Sequence, residues 1–104
     1  MKKCKIIISD PSDRQEIIID EEKNMCKYCG NEININASLF LTSLELIMAS
    51  WDNDRKNLNG CVSDGVEIEV YFKDNENQFE YKFDLLSMPK NIDKLYMLLE
   101  TLHD

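Results

Sequence analysis

Residues 35–51, INASLFLTSLELIMASW, constrain the fold more than any other stretch of the chain. Wound at about 100° per residue, Phe40, Leu44, Ile47, Met48 and Trp51 fall on one stripe, with Ala37 and Leu41 at its edge. That spacing predicts a helix lying on a sheet. Asn36 and Ser38 both suit its N-cap, because a short polar side chain can accept from the free N–H groups of the first turn. Leu39 and Leu46 fall on a flank outside the stripe. They call for a second covering layer or for a partner.

Upstream, residues 3–9 read as a strand, with Cys4, Ile6 and Ile8 on one face and Lys5 and Ile7 on the other. Asp10-Pro11-Ser12-Asp13 is a turn, since proline fixes φ at its second position. Residues 15–20 return, with Ile17 and Ile19 opposing Glu16 and Ile18. Isoleucine on both faces predicts strands that lie inside a sheet or are covered on both sides. Left at an open edge, they would invite pairing with another chain. Residues 20–34 read as a polar, irregular connection.

Downstream, residues 52–65 form a long loop by their density of Asn, Asp and Gly. Strict alternation follows in residues 66–73 and 78–85 around the turn Asp74-Asn75-Glu76-Asn77, the clearest hairpin in the chain. Val66, Ile68, Val70, Phe72, Phe79, Tyr81, Phe83 and Leu85 point inward. Glu67, Glu69, Glu80 and Asp84 point outward, with Lys73 and Lys82 to balance them. A last helix starts at Pro89 or Asn91 and carries Ile92, Leu95, Tyr96, Leu99 and Leu102 on its stripe, leaving Met97 and Leu98 off it. The order is ββαββα. It predicts one α+β domain over residues 1–104, an antiparallel sheet of four to five strands with two helices packed on one face.

With 104 residues, 43% hydrophobic and 31% charged, the chain can bury a core of its own. No apolar run approaches the roughly 20 residues that span a bilayer. The run Ile6–Ile8 is far short of the roughly 7–15 residues of a secretory leader, so the expected location is cytoplasmic, with reduced cysteines. The net charge is −8, from 20 acidic and 12 basic residues. Direct nucleic-acid binding, which needs clustered Lys or Arg, is not expected. A partner protein with a basic surface suits the balance.

The sharpest local motif is Cys26-Lys27-Tyr28-Cys29-Gly30. Two thiolates at this spacing before a glycine look like half of a zinc knuckle, to be completed from Cys4, Cys61 and His103. Set against it are plain reduced thiols in a loop, and the apo state is the expectation. A thiol-exchange site would sit between a strand and a helix start, and polar residues intervene here. Asp52-Asn53-Asp54 opens like a calcium loop, but Asn57 stands where glycine is needed and Ser63 where a bidentate Glu is needed. His103 has no companion base or nucleophile, and Gly30, Gly60 and Gly65 make no phosphate loop. Glu67, Glu69, Glu80 and Asp84 could pair for acid–base chemistry, although an outward hairpin face is usually plain surface. Trp51 belongs to the core.

No catalytic constellation is expected, and a binding role remains. In size, charge and Lys/Ile/Asn-rich composition the chain resembles small bacterial and phage inhibitors, such as toxin-neutralising immunity proteins and anti-defence proteins. The resemblance implies a stoichiometric inhibitor whose carboxylates imitate a phosphate backbone and block a basic or nucleic-acid-binding partner. The expected contacts are Glu67, Glu69, Glu80 and Asp84, with Leu39 and Leu46 as an apolar alternative. The competing readings are a zinc module on Cys26 and Cys29 with Cys4 and Cys61, and a self-associating structural protein, a homodimer.

Overall fold

Strand β1 (Lys3–Asp10) sits in the interior of the sheet, paired antiparallel with β2 (Asp13–Asp20) on one side and with β5 (Glu67–Lys73) on the other. That interior position is the one its isoleucines on both faces predict. The computed structural model describes residues 1–51, 67–83, 89 and 91–102. Its remaining elements are β3 (Met25–Tyr28), β4 (Asn31–Ile33), α1 (Ala37–Ala49), β6 (Gln78–Phe83) and α2 (Ile92–Glu100). The strands form one six-stranded antiparallel sheet in the order β4-β3-β2-β1-β5-β6.

The α+β class, the antiparallel sheet and the two helices agree with the sequence, but the strand count and element order do not. The expected four to five strands in ββαββα order become six in ββββαββα order, because residues 20–34 are not an irregular connection. Cys29 and Gly30 both take positive φ, at 51° and 87°, and make a two-residue turn between β3 and β4. Such a turn matches the right-handed twist of a hairpin. The short strands either side, MCKY and NEI, are too polar to announce themselves by alternation.

One face of this sheet is the core. Across the register run Cys26, Ile19, Cys4 and Phe72, then Tyr28, Ile17, Ile6, Val70 and Tyr81. Helix α1 lays Ala37, Phe40, Leu41, Leu44, Ile47 and Met48 onto it, and α2 adds Leu95 and Leu99. Asn36 wins the N-cap: its side chain accepts from Leu39 N–H at 3.0 Å. A second free N–H of the same turn, that of Ala37, donates to Asn24 Oδ1 at 3.1 Å and so ties the helix start to the β2–β3 turn.

Trp51 closes the far end of α1, fully buried, with its ring edge-on to Tyr81 (5.2 Å) and Phe83 (4.9 Å). Its indole N–H donates to Asn91 Oδ1 at 2.7 Å, while Asn91 Nδ2 donates to the Ile47 carbonyl at 3.2 Å and to Ser50 Oγ. One asparagine thus satisfies the buried indole and joins the end of α1 to the start of α2. The end of α1 lies against the start of α2. Tyr96, expected on the buried stripe of α2, is exposed, whereas Leu98 is half-buried against α1. The last helix is rotated slightly from its ideal projection, toward its neighbour.

Candidate protein-binding surfaces

The outward face of the sheet carries Glu67, Glu69 and Glu80, as the hairpin alternation requires. Asp84 lies outside the described residues, as do Cys61, His103 and the Asp52-Asn53-Asp54 loop. Alternation alone could not show what stands beside those glutamates. Because β1 inserts next to β5, Ile7 pairs with Glu69 and Lys5 with Tyr71, and Lys3 faces Lys73. On the described strands this face holds Lys3, Lys5, Arg14, Lys27, Lys73 and Lys82 against Glu16, Asp20, Glu32, Glu67, Glu69 and Glu80. The charges balance.

They also pair locally. Lys82 Nζ lies 3.9 Å from Glu69 and 3.7 Å from Glu80, and Glu16 lies 3.5 Å from Lys5 and 3.7 Å from Arg14. Tyr71 donates to Glu69 Oε1 at 2.5 Å, and this bond to a carboxylate pushes the phenol up to about 12. Exposed pairs of this kind are worth about 0–1 kcal/mol each, so they tune the surface more than they hold the fold. Beneath them Ile7 is only 6% exposed although none of the described helices covers it. In the register it faces Glu16 on one side and Glu69 on the other, and the methylene stems of such side chains shelter an isoleucine while their heads stay wet.

The helical layer offers a different surface. Leu39 and Leu46 are 63% and 75% exposed on the outer flank of α1, and Met97 is 65% exposed on α2. Between the start of α1 and the end of α2 opens a cleft of about 420 Å³, lined by Ile35, Leu39, Phe40 and Leu98 with Asn34, Asn36, Ser43 and Thr101 at its margins. Among the described residues no titratable side chain lines it. Its chemistry is that of a groove for apolar side chains with a polar rim.

The cysteine motif is divided by the hairpin. Cys26 points from β3 into the core, fully buried, and Cys29 sits at the turn, exposed. Cys4 shares the core face with Cys26, two strands away with Ile19 of β2 between them. Burial pushes the Cys4 thiol up to about 12, with the neighbouring Cys26 adding to the rise, and burial also raises Cys26. Burial thus favours the neutral thiol at both positions. Among the described residues no three Cys, His, Asp or Glu side chains converge on one point. The sequence signal that would have separated the pair is the Cys29-Gly30 turn, which sets the two cysteines on different parts of a hairpin.

Among the described residues no helix is long and apolar enough to cross a membrane. No family model matches the chain, and comparison with curated proteins and with solved structures finds no similar protein.

Proposed function

We propose that this chain is a small acidic protein-binding module, a stoichiometric inhibitor that occupies a basic or nucleic-acid-binding partner, and that it docks through its helical layer. The observation that carries this reading is the pair Leu39 and Leu46, left 63% and 75% exposed along one flank of α1 beside an apolar cleft. Apolar surface left in water forgoes about 25 cal/mol per Å², and exposed leucines beside a groove suit a partner better than solvent. The net charge of −8 then acts at long range, speeding encounter with a positive surface. Glu67, Glu69 and Glu80, balanced by lysines on their own face, contribute to that field more than to contact.

The test uses a partner captured from the native host and shown to bind one to one. Leu39→Asp and Leu46→Asp, both at exposed positions, should leave folding intact and abolish capture. Glu67→Lys with Glu69→Lys should slow association without changing dissociation, and the on-rate should fall as salt rises. Affinity untouched by the leucine changes but lost on the glutamate reversal would return the contact to the sheet face. Elemental analysis of protein expressed with added zinc addresses the metal module: one zinc per chain, lost on Cys26→Ser, would replace the inhibitor reading.

A further inference from the structure

The two edges of the sheet are unlike. Strand β4 is three residues long and carries Glu32, the short charged edge that resists pairing with other chains. Strand β6, QFEYKF, is six residues long without proline, and among the described residues it pairs on one side only, with β5. The backbone groups it does not use toward β5 can be assigned. The Asp74 N–H donates to the Asn77 carbonyl at 2.9 Å and closes the hairpin, and bonded and non-bonded pairs alternate from there. Phe79, Tyr81 and Phe83 therefore bond toward β5, and Gln78, Glu80 and Lys82 direct their N–H and C=O outward.

From this we infer that β6 pairs with β6 of a second copy, antiparallel about a two-fold axis at Tyr81, so that one sheet runs through both chains. The axis position follows from charge and backbone together. At Tyr81 it sets Glu80 opposite Lys82 of the second copy, twice by symmetry, and both residues have outward backbone groups to exchange. Phe79 then stands against Phe83 of the second copy on the core side, the aromatic cross-strand pairing that stabilises a ladder. Moving the axis to Glu80 sets Glu against Glu, and moving it to Lys82 sets Lys against Lys. An axis between residues meets outward groups with inward ones and turns the core face to solvent. Self-pairing at Tyr81 is the one register of β6 that meets both requirements.

The assembly is separate from the helical docking surface, so each can fail alone. The experiment measures the mass of the full chain across a concentration series. Wild-type protein should move from 12.2 kDa toward twice that value. Glu80→Lys and Lys82→Glu, both at exposed positions, each create two like-charge contacts and should weaken the dimer by roughly tenfold or more. Mixed in equal amounts, the two variants should associate, because each then meets its opposite. The double variant Glu80→Lys/Lys82→Glu should dimerise like the wild type. A wild-type chain that stays at monomer mass, single variants that dimerise undiminished, or a double variant that stays monomeric would each overturn the inference.

Discussion

The two faces of this sheet are built from the same strands and solve opposite problems. On the helical side, Ile6, Ile17, Ile19, Val70 and Phe72 are sealed under α1 and α2, and burial there raises the Cys4 and Cys26 thiols. On the open side, Ile7 is buried almost as completely although none of the described helices lies above it, beneath a balanced field of lysines and glutamates. Close packing against rigid elements protects the first face, and long flexible side chains protect the second. Stability should therefore reside on one face, and tolerance of charge changes on the other.

The largest expected effect lies in the helical core. Leu44→Ala should cost about 2–5 kcal/mol and Phe72→Ala about 3–5 kcal/mol, read from denaturant midpoints, since both are buried where little can move in to fill the space. Leu46→Ala, on the exposed flank of the same helix, should stay within about 0.5 kcal/mol of wild type. Equal losses at Leu44 and Leu46 would mean that the outer flank is covered too.

Alkali should also act on the buried face. The Cys4 thiol ordinarily titrates at 9.0 and is pushed up to about 12 in the folded chain. Above pH 9 the unfolded chain has lost a proton that the folded chain keeps. The contribution is therefore fully present below pH 9 and is lost as the pH rises toward 12. A denaturant series at about pH 8 and about pH 10.5 should show wild type losing more stability than Cys4→Ala, the difference isolating this thiol from the lysines and tyrosines that titrate nearby. In the native state Cys29 should react with a thiol reagent while Cys4 and Cys26 react only on unfolding.

How far the two faces could be read from sequence differs in the same way. Strict alternation over residues 66–73 and the i, i+4, i+7 stripe of α1 are local signals, so the core was legible at Ile68, Val70, Phe40 and Leu44. The balance of the open face was not, because it depends on which strand lies beside which. Glu67, Glu69 and Glu80 read as an acidic row only while β1 is not beside them; Lys3 and Lys5 arrive through a pairing that spans most of the chain. The β3–β4 hairpin escaped for another reason. Its strands are too short and polar for a period to show, and its turn rests on a cysteine in a left-handed conformation, which favours glycine and asparagine. Asn24 and Asn91 were missed as fasteners because an asparagine in a connection looks the same whether it caps a helix, holds an indole or faces water.

A finer contrast is available at two adjacent residues of β1. Ile6→Ala should cost about 2–5 kcal/mol, transfer and cavity together. Ile7→Ala, equally apolar and nearly as buried, should cost about 2 kcal/mol, the transfer part alone, because the side chains above it can settle into the space. Thermal or chemical unfolding of the two variants side by side reads the difference. A loss at Ile7 as large as that at Ile6 would show that the open face is packed against something rigid.

The smallest effect separates stems from charges on the open face. Glu16 stands opposite Ile7 in the register and lies 3.5 Å from Lys5 and 3.7 Å from Arg14. Glu16→Gln keeps its methylenes and removes its charge; Glu16→Ala removes both. If stems protect Ile7, the Gln variant should lose no more than about 0.5 kcal/mol, the scale of exposed ion pairs. The Ala variant should lose about 1 kcal/mol, because part of an isoleucine becomes wet. Salt should distinguish them as well. Raising ionic strength screens the pairs of the wild type and should erase the small Gln deficit, while leaving the Ala deficit in place, since hydration of an apolar side chain is not an interaction that counter-ions screen. A Gln variant as unstable as the Ala variant, with a deficit that vanishes in salt, would show instead that the ion pairs hold this face and that the shelter over Ile7 is incidental.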